Sequence, residues 1–576
     1  MTFKFKHTAA AAEAQRRLDA EIAAHEATIR DLKHQRNTYS SVSRLPSEIA
    51  ATIFLLVKTE LGQAAVGAIG GVCRQWREIL LASPRIWSSI EVSRLDYALE
   101  LLQRANSVPL EISCEERSYT DPCRRVAEVV MSEVSRIQSL GVSLHPTDLV
   151  QFLRLNRNAS APILENLRLS ATSTHPEPFT LPHDILHREM PSLRQLVLNN
   201  MGISLQLPPL PHLIYLRIAT HSIDASLILA SLKSTPKLEE LHIEGLVLDD
   251  CTDSLETVIR LPNLTNISLA AMDLEDAAML TKIEYPPGAR VRFSHKYKYW
   301  GEPDLSALVG VCRRFQMDPL PIDSVSLGSW SRGQTQMIIG AHHHEPYYLN
   351  LSLNIEPRYS PASCMTLCSA LSLGDVSTLR VVGFSMTPPT EWTNLYRCFP
   401  QARSLHLIHT STWYFKTLMK GSTAELPLLA LETLYFSQCE FLVTSAQLIK
   451  ALKALLKERK ALNTPIATVI IRMSSITAEA VRELEDLAEV DWDGERLENE
   501  QFRPSIIEVA EVAPLAQVNA EVAYGRDWQN VHPFSMQDVT ILAVIVCSGL
   551  QLTPEVCFIV SCIRRVHSTG TSLATP

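Results

Sequence analysis

Glycine is scarce in this chain, 20 residues in 576. No G-x-x-x-x-G-K-[ST] loop, no G-x-G-x-x-G fingerprint and no Gly-x-Ser-x-Gly elbow is present. Those absences argue against phosphate-cradling and serine-hydrolase chemistry. The twelve cysteines show no CxxC…CxxC spacing. A RING-like zinc module is therefore not expected, and no metal or cofactor is implied. Neither sign of charge dominates. The net charge is −9 and spread along the chain, so no basic footprint for nucleic acid is found. Long apolar runs are missing too. "VTILAVIVC" (Val539 to Cys547) is too short for the ~20 residues that span a bilayer, and reads as a buried strand. The opening "MTFKFKHTAAAAEAQ" has no apolar core of a secretory signal. The thiols are thus expected to be reduced, in the cytoplasm or nucleus.

Two clusters invite chemistry without supporting it. In "AHHHEP" (His342 to His344, then Glu345) three adjacent histidines diverge on any regular element, so an exposed loop is expected. "CMTLC" puts Cys364 and Cys368 one helical turn apart, a spacing that reads as packing. No group of residues nominates a catalytic site.

What the chain does have is 46% hydrophobic residues against 20% charged, enough for extensive folding. Residues 9–37 lack glycine and proline and are rich in Ala, Glu and Arg, so they read as one helix. Leu18, Ile22, His25, Ile29 and Leu32 alternate at spacings of four and three, the seam of a short coiled coil. The run is barely three heptads and His25 interrupts it. Packing onto the chain's own following domain is therefore expected for residues 1–38.

Residues 45–92 predict a compact helical unit. Ile49, Ile53 and Phe54 are read as one face, and Val72, Trp76 and Ile79 as a second stripe. The glycine-rich "LVKTELGQAAVGAIGG" between them predicts weak helix. Ser83-Pro84 marks a turn and a new helix start. So small a unit buries little apolar surface alone, and its outward apolar residues point to an obligate partner.

"LPSEIAATIF…VCRQWREILLASPRIWSSI" resembles the F-box as fungal proteins write it. The matching residues are Leu45, Pro46, Glu48, Ile49, Ile53, Phe54, Val72, Cys73, Trp76, Arg77, Ile79, Ser83, Pro84 and Trp87. The resemblance implies a partner, a Skp-family adaptor and through it a cullin. It implies Leu45, Pro46, Ile49, Ile53, Val72 and Trp76 as the adaptor contacts. It also implies a helix and a Pro-Leu strand after residue 92.

From 93 to 495 one unit recurs: an apolar residue at i, i+3 and i+5, often after proline. It occurs as Leu164/Leu167/Leu169, Leu193/Leu196/Leu198, Leu213/Leu216/Ile218, Leu238/Leu241/Ile243 and Leu264/Ile267/Leu269. After a weaker stretch come Ile322/Val325/Leu327, Leu379/Val382/Phe384, Ala402/Leu405/Leu407, Leu431/Leu434/Phe436 and Ile466/Val469/Ile471. The first five are spaced by 20 to 29 residues, the range of leucine-rich repeats. Only Cys439 falls where such repeats place a ladder Asn or Cys. The expected fold is α plus an α/β repeat: an N-terminal helix, a three-helix unit and an irregular solenoid arc. Val490 to Gly494 would close it, and residues 496–576 form a tail of uncertain fold, partly disordered.

In such repeats the residues between the buried leucines line the hollow. That rule selects Arg168, Val197, Arg217, His242, Ser268, Gly383, His406, Tyr435 and Ile470, with Tyr215 and Glu240 one step earlier. Arg168, Tyr215, Arg217, His242, His406 and Tyr435 are the candidate substrate contacts. The inner position has no carboxylate, which leaves two readings: a site for an acidic or phosphorylated segment, or a solvated strand face with no ligand. The functional expectation is a non-catalytic substrate receptor of an SCF-type ubiquitin ligase. The alternative is a repeat scaffold or regulator acting outside ubiquitination.

Overall fold

A computed structural model describes residues 9–40, 42–92, 95–115, 121–155, 159–172, 180–181, 189–203, 207–247, 258–295, 301–317, 322–331, 334–340, 349–355, 360–371, 373–382, 389–408, 418, 426–439, 445–474 and 476–494. The expectations for His342 to Glu345, for Gly383 and for residues 496–576, Val539 to Cys547 included, lie outside these residues. The chain divides into two compact units, the described residues up to Ile112 and those from Ser113 onward.

The first unit is helical: α1 (Ala9–Thr38), α2 (Ser47–Leu61), α3 (Gln63–Val72), α4 (Arg74–Leu81) and α5 (Leu95–Ala105). Pro46 sets the chain extended just before α2. Gly62, at φ +76°, ends α2 and donates its N–H to Lys58 O. The glycine-rich stretch expected to be weakly helical forms the end of α2 and, after Gly62, the ten-residue α3, which buries Ala65, Val66 and Ile69. Its glycines lower propensity, but Gly70 lets α4 come close: a Cβ there would already touch Leu80 Cδ1 at 3.4 Å. Cys73 is extended and separates α3 from α4. Val72 and Trp76 therefore do not share one helical stripe, contrary to the reading from spacing.

The core of this unit is Ala50, Phe54, Ile69, Trp76, Leu80, Ile86 and Trp87. Phe54 and Trp76 meet with ring centroids 5.0 Å apart. Pro84 opens a single 3-10 turn, Pro84–Trp87, where a new helix was expected. Trp87 Nε1 donates to Leu80 O at 2.8 Å, and the Arg104 guanidinium lies 4.5 Å over its ring. Lys58 Nζ reaches across to Ile86 O at 2.9 Å and Ser89 Oγ at 3.1 Å. As expected, a helix (α5) and a strand (Leu110–Glu115) follow.

The second unit is mixed helix and sheet, with an open, largely parallel sheet. Strands Ile137–Leu144, Asn166–Ala171, Gln195–Asn199, Tyr215–Asp224, Glu240–Val247, Asn266–Ala271 and Arg290–His295 pair in chain order, all parallel. The order then changes. Ser324–Ser331, Gln334–Gly340 and Leu349–Leu353 form an antiparallel meander. Its last strand pairs with Arg290–His295 and its first with Thr378–Val382, both in parallel. Ser404–Ile408, Thr433–Ser437, Thr468–Arg472 and Glu489–Trp492 complete the series in parallel.

The apolar triplets explain the pairing. Leu167, Leu196, Leu216, Leu241 and Ile267 are cross-strand neighbours, and so are Leu169, Leu198, Ile218, Ile243 and Leu269. All ten are buried. In the first five triplets, and at Ala402 and Leu431, the leading residue closes a turn onto the residue three before it, as in Leu193 N–H to Met190 O at 3.2 Å and Leu213 N–H to Leu210 O at 3.1 Å. Cys439 is buried and its thiol donates to Leu407 O at 3.3 Å, satisfying a carbonyl of the preceding strand pair as a ladder residue does. One copy was read out of register. Leu379 and Val381 occupy the buried rows, where the triplet had placed Val382 and Phe384. The weaker stretch holds further strands with the same pattern, Val291/Phe293 and Leu349/Leu351, and the series opens earlier with Leu140/Val142.

Gly245 holds a bulge. The register between Tyr215–Asp224 and Glu240–Val247 shifts there, and its φ is +83°. A Cβ on it would stand 2.0 Å from Thr220 O. Gly245→Ala should therefore cost at least about 2 kcal/mol, combining backbone strain with a clash that only main-chain movement relieves. Urea unfolding of the variant against wild type measures it.

Candidate functional site

Two surfaces collect the residues singled out by sequence. The first is α2. Its buried side is Ala50 and Phe54. Phe54 thus turns inward and does not share a face with Ile49, which is 50% exposed. Ile53 is half-buried beside Ile49, and Leu56 extends the same stripe at 50% exposure. Residues 49, 53 and 56 are at i, i+4 and i+7, so they line one side of the helix. Pro46, exposed, and Leu45, half-buried, precede them. Val72 is half-buried at the end of α3. Trp76 is only 5% exposed and packs on Phe54. The expectation that it contacts a partner is corrected: its indole is spent on the unit's own core. Leu56 was missed, although its spacing from Ile49 and Ile53 was the available signal.

The coiled-coil expectation also changes. Leu18, Ile22, Ile29 and Leu32 of α1 are each more than half exposed, so the seam is not packed on the first unit.

The second surface is the solvent face of the sheet. Strand register sets Gly141, Arg168, Val197, Arg217, His242, Ser268, Arg292 and Asn350 in one row. This part of the row has no carboxylate, but its flanks do. Arg217 donates to Glu244 at 3.0 Å, and His242 lies 3.4 Å from Glu240. The bond to His242 is the main reason the Glu240 carboxyl titrates below its ordinary range. Tyr215 and His242 face each other at 5.3 Å. Burial raises the Tyr215 phenol, opposed by the nearby Arg217. The patch is thus partly paired within itself, through Arg217 with Glu244 and His242 with Glu240, and the register sets Arg168, Arg290 and Arg292 on the same face.

Across the meander the row continues as Ser326, Arg380, His406, Tyr435, Ile470 and Asp491. Arg380 takes the position assigned to Gly383 because that copy was read three residues late. His406 stacks on Tyr435 with centroids 4.7 Å apart and 24° between planes, and its Nε2 lies 3.0 Å from Ser404 Oγ. Beside this row, Ser324, Thr378, Ser404, Thr433 and Thr468 form a line of hydroxyls. Arg472 pairs with the Asp491 carboxylate at the last strand. The sequence candidates therefore fall into two groups: Arg168, Tyr215, Arg217 and His242 in one, His406 and Tyr435 in the other.

Among the described residues no cluster of His, Cys, Asp or Glu could hold a metal ion. Cys364 and Cys368 are buried, and burial pushes the Cys364 thiol up to about 12, which makes it inert packing. No helix among the described residues is long and apolar enough to cross a membrane. No protein-family model matches the chain, and no curated protein matches it.

His406 generates a pH prediction. Burial, and then the charge of Arg380, lower its pKa to about 4. The unfolded chain takes up that proton near 6.5. Between these values the unfolded state binds a proton that the folded state refuses. Stability therefore falls as pH drops from 6.5 toward 4 and levels off below. Going from pH 7 to about 4.5, wild type should lose about 2 kcal/mol more than His406→Gln in urea unfolding.

Proposed function

We propose that the chain is the substrate-recognition subunit of an SCF-type cullin-RING ubiquitin ligase. The observation that carries this is the outward stripe Ile49, Ile53 and Leu56 on α2, led by Pro46 and backed by the Phe54–Trp76 core. The sequence around that stripe is the part that resembles an F-box. Apolar side chains held on a rigid helix suit a groove on a partner. Here the partner is a Skp-family adaptor, and through it a cullin. The second unit then acts as an irregular leucine-rich-repeat arc whose sheet face holds the substrate. The protein supplies position instead of bond chemistry: capture raises the effective concentration of substrate lysines at the ligase.

For the substrate side, Arg168, Tyr215, Arg217 and His242 are the contacts of choice, with His406 and Tyr435 further along. Four arginines against two glutamates favour an acidic or phosphorylated segment. Such a segment takes the place of Glu244 on Arg217, which makes the exchange selective for anions that bond better than a glutamate already in place.

The test is co-purification with a recombinant Skp-family adaptor. Ile49→Asp with Leu56→Asp changes exposed positions only, so the helical unit keeps its unfolding transition. Adaptor capture should fall at least about tenfold, since charges then face the apolar groove. Undiminished capture by this variant sinks the reading. Capture of adaptor without cullin assigns the chain to assembly outside ubiquitination.

A further inference from the structure

α1 is a 30-residue helix, about 45 Å long at 1.5 Å per residue. Every described side chain from Glu13 to Arg36 is exposed. A helix solvated on all sides with four large aliphatics along one line has an unfilled seam. Leu18, Ile22, His25, Ile29 and Leu32 form it, with Gln15 and Arg36 as the next positions at either end. Leu18, His25 and Leu32 take one of the two seam positions of the heptad, and Gln15, Ile22, Ile29 and Arg36 the other.

The charges beside the seam choose its occupant. Asp19, Glu26 and Lys33 flank it on one side, and Ala14, Glu21, Thr28 and Gln35 on the other. If a second copy lay parallel, each Glu21 would face Glu26 of the other helix, twice per dimer. Thr28 would face Lys33, and no opposite-charge pair would form. An antiparallel copy reverses this. In the register that sets Ile22 of one helix against Leu32 of the other, His25 meets Ile29 and Leu18 meets Arg36. Asp19 then faces Lys33 twice per dimer, and one Glu26–Glu26 contact at the centre opposes. Sliding the helices by one heptad toward their N-termini sets Asp19 against Glu26. Sliding the other way leaves Leu18 and Ile22 without apolar partners.

We propose that α1 is a self-association element that pairs antiparallel with α1 of a second copy of this chain. Two Ile22–Leu32 layers supply the apolar contact, and the Asp19–Lys33 pairs fix direction and register. His25 keeps the association weak, because a polar ring in the seam costs stability while it restricts the choice of register. This stands apart from the function proposed above, since it uses no residue of α2 or of the sheet.

Sedimentation of the full-length protein from about 1 to about 200 µM tests it, a range chosen for a weak dimer of three apolar heptads. Wild type should pass from monomer to dimer across the range. His25→Leu should tighten the dimer by at least about tenfold, a gain that misfolding cannot imitate. Asp19→Lys and Lys33→Asp should each weaken it. The two together should restore it, because the swapped charges still face each other in the antiparallel pair and in no parallel one. A monomer at the highest concentration with His25→Leu overturns the proposal, and the seam then belongs to a different protein. A double swap that fails to restore association overturns the antiparallel pairing. A dimer that persists after removal of residues 1–38 overturns it as well.

Discussion

The second unit depends on the way each strand is seated on the one before it. The N–H groups at the start of a strand go to a single carbonyl on its predecessor. Arg194 and Gln195 both donate to Glu165 O, Ile214 and Tyr215 to Arg194 O, and Glu239 and Glu240 to Ile214 O. The pattern repeats past the meander, where Arg403 and Ser404 donate to Ser377 O and Glu432 and Thr433 to Arg403 O. This pairing, repeated from strand to strand, leaves one register. Everything on the solvent face follows from it. Arg217 meets Glu244, and His406 meets Tyr435, because their strands cannot slide without burying charge and exposing leucine.

The helical unit obeys a different constraint. It is too small to spare its aromatic residues for a partner. Phe54, Trp76 and Trp87 are all buried, and Lys58 is drawn in to bond the Ile86 carbonyl although burial lowers its pKa. The apolar side chains that remain outside on α2 are aliphatic. Ile49 and Leu56 stay half exposed because the helix has a second side and no core left to cover it. On α2 the separation of inward Phe54 from the outward aliphatics lets the outer face change without loss of the fold.

Sequence made the periodic parts legible and the local geometry less so. The leucine triplets located strands because buried positions on a repeated strand must stay apolar, whatever the loops between them do. It failed where length variation broke the count. Arg380 was hidden because Val382 and Phe384 offered an equally spaced triplet, and only cross-strand pairing with His406 decides between them. The meander was hidden because antiparallel strands carry the same alternation as parallel ones. In the helical unit, residue types were informative and their faces were not. Ile49 and Phe54 are both apolar on one short helix, and only the position of Trp76 tells which is inside. Glu244 was overlooked because it lies beyond the third apolar position, where strand length has to be known first.

The two parts of the sheet face differ in how they can respond to a ligand. Around Arg217 and His242, opposite charges already satisfy each other, so an anion arriving there would have to displace a glutamate. Around His406 the row carries one cation, Arg380, beside a depressed histidine, a tyrosine and a line of Ser and Thr hydroxyls. Hydroxyls donate and accept, and the stacked rings are rigid, so this part loses little side-chain freedom when covered. An extended chain crossing both parts would be oriented by charge at one end and held by hydrogen bonds and ring contact at the other. Direction along the face is then fixed by the order of the strands, which the backbone pairing has already set.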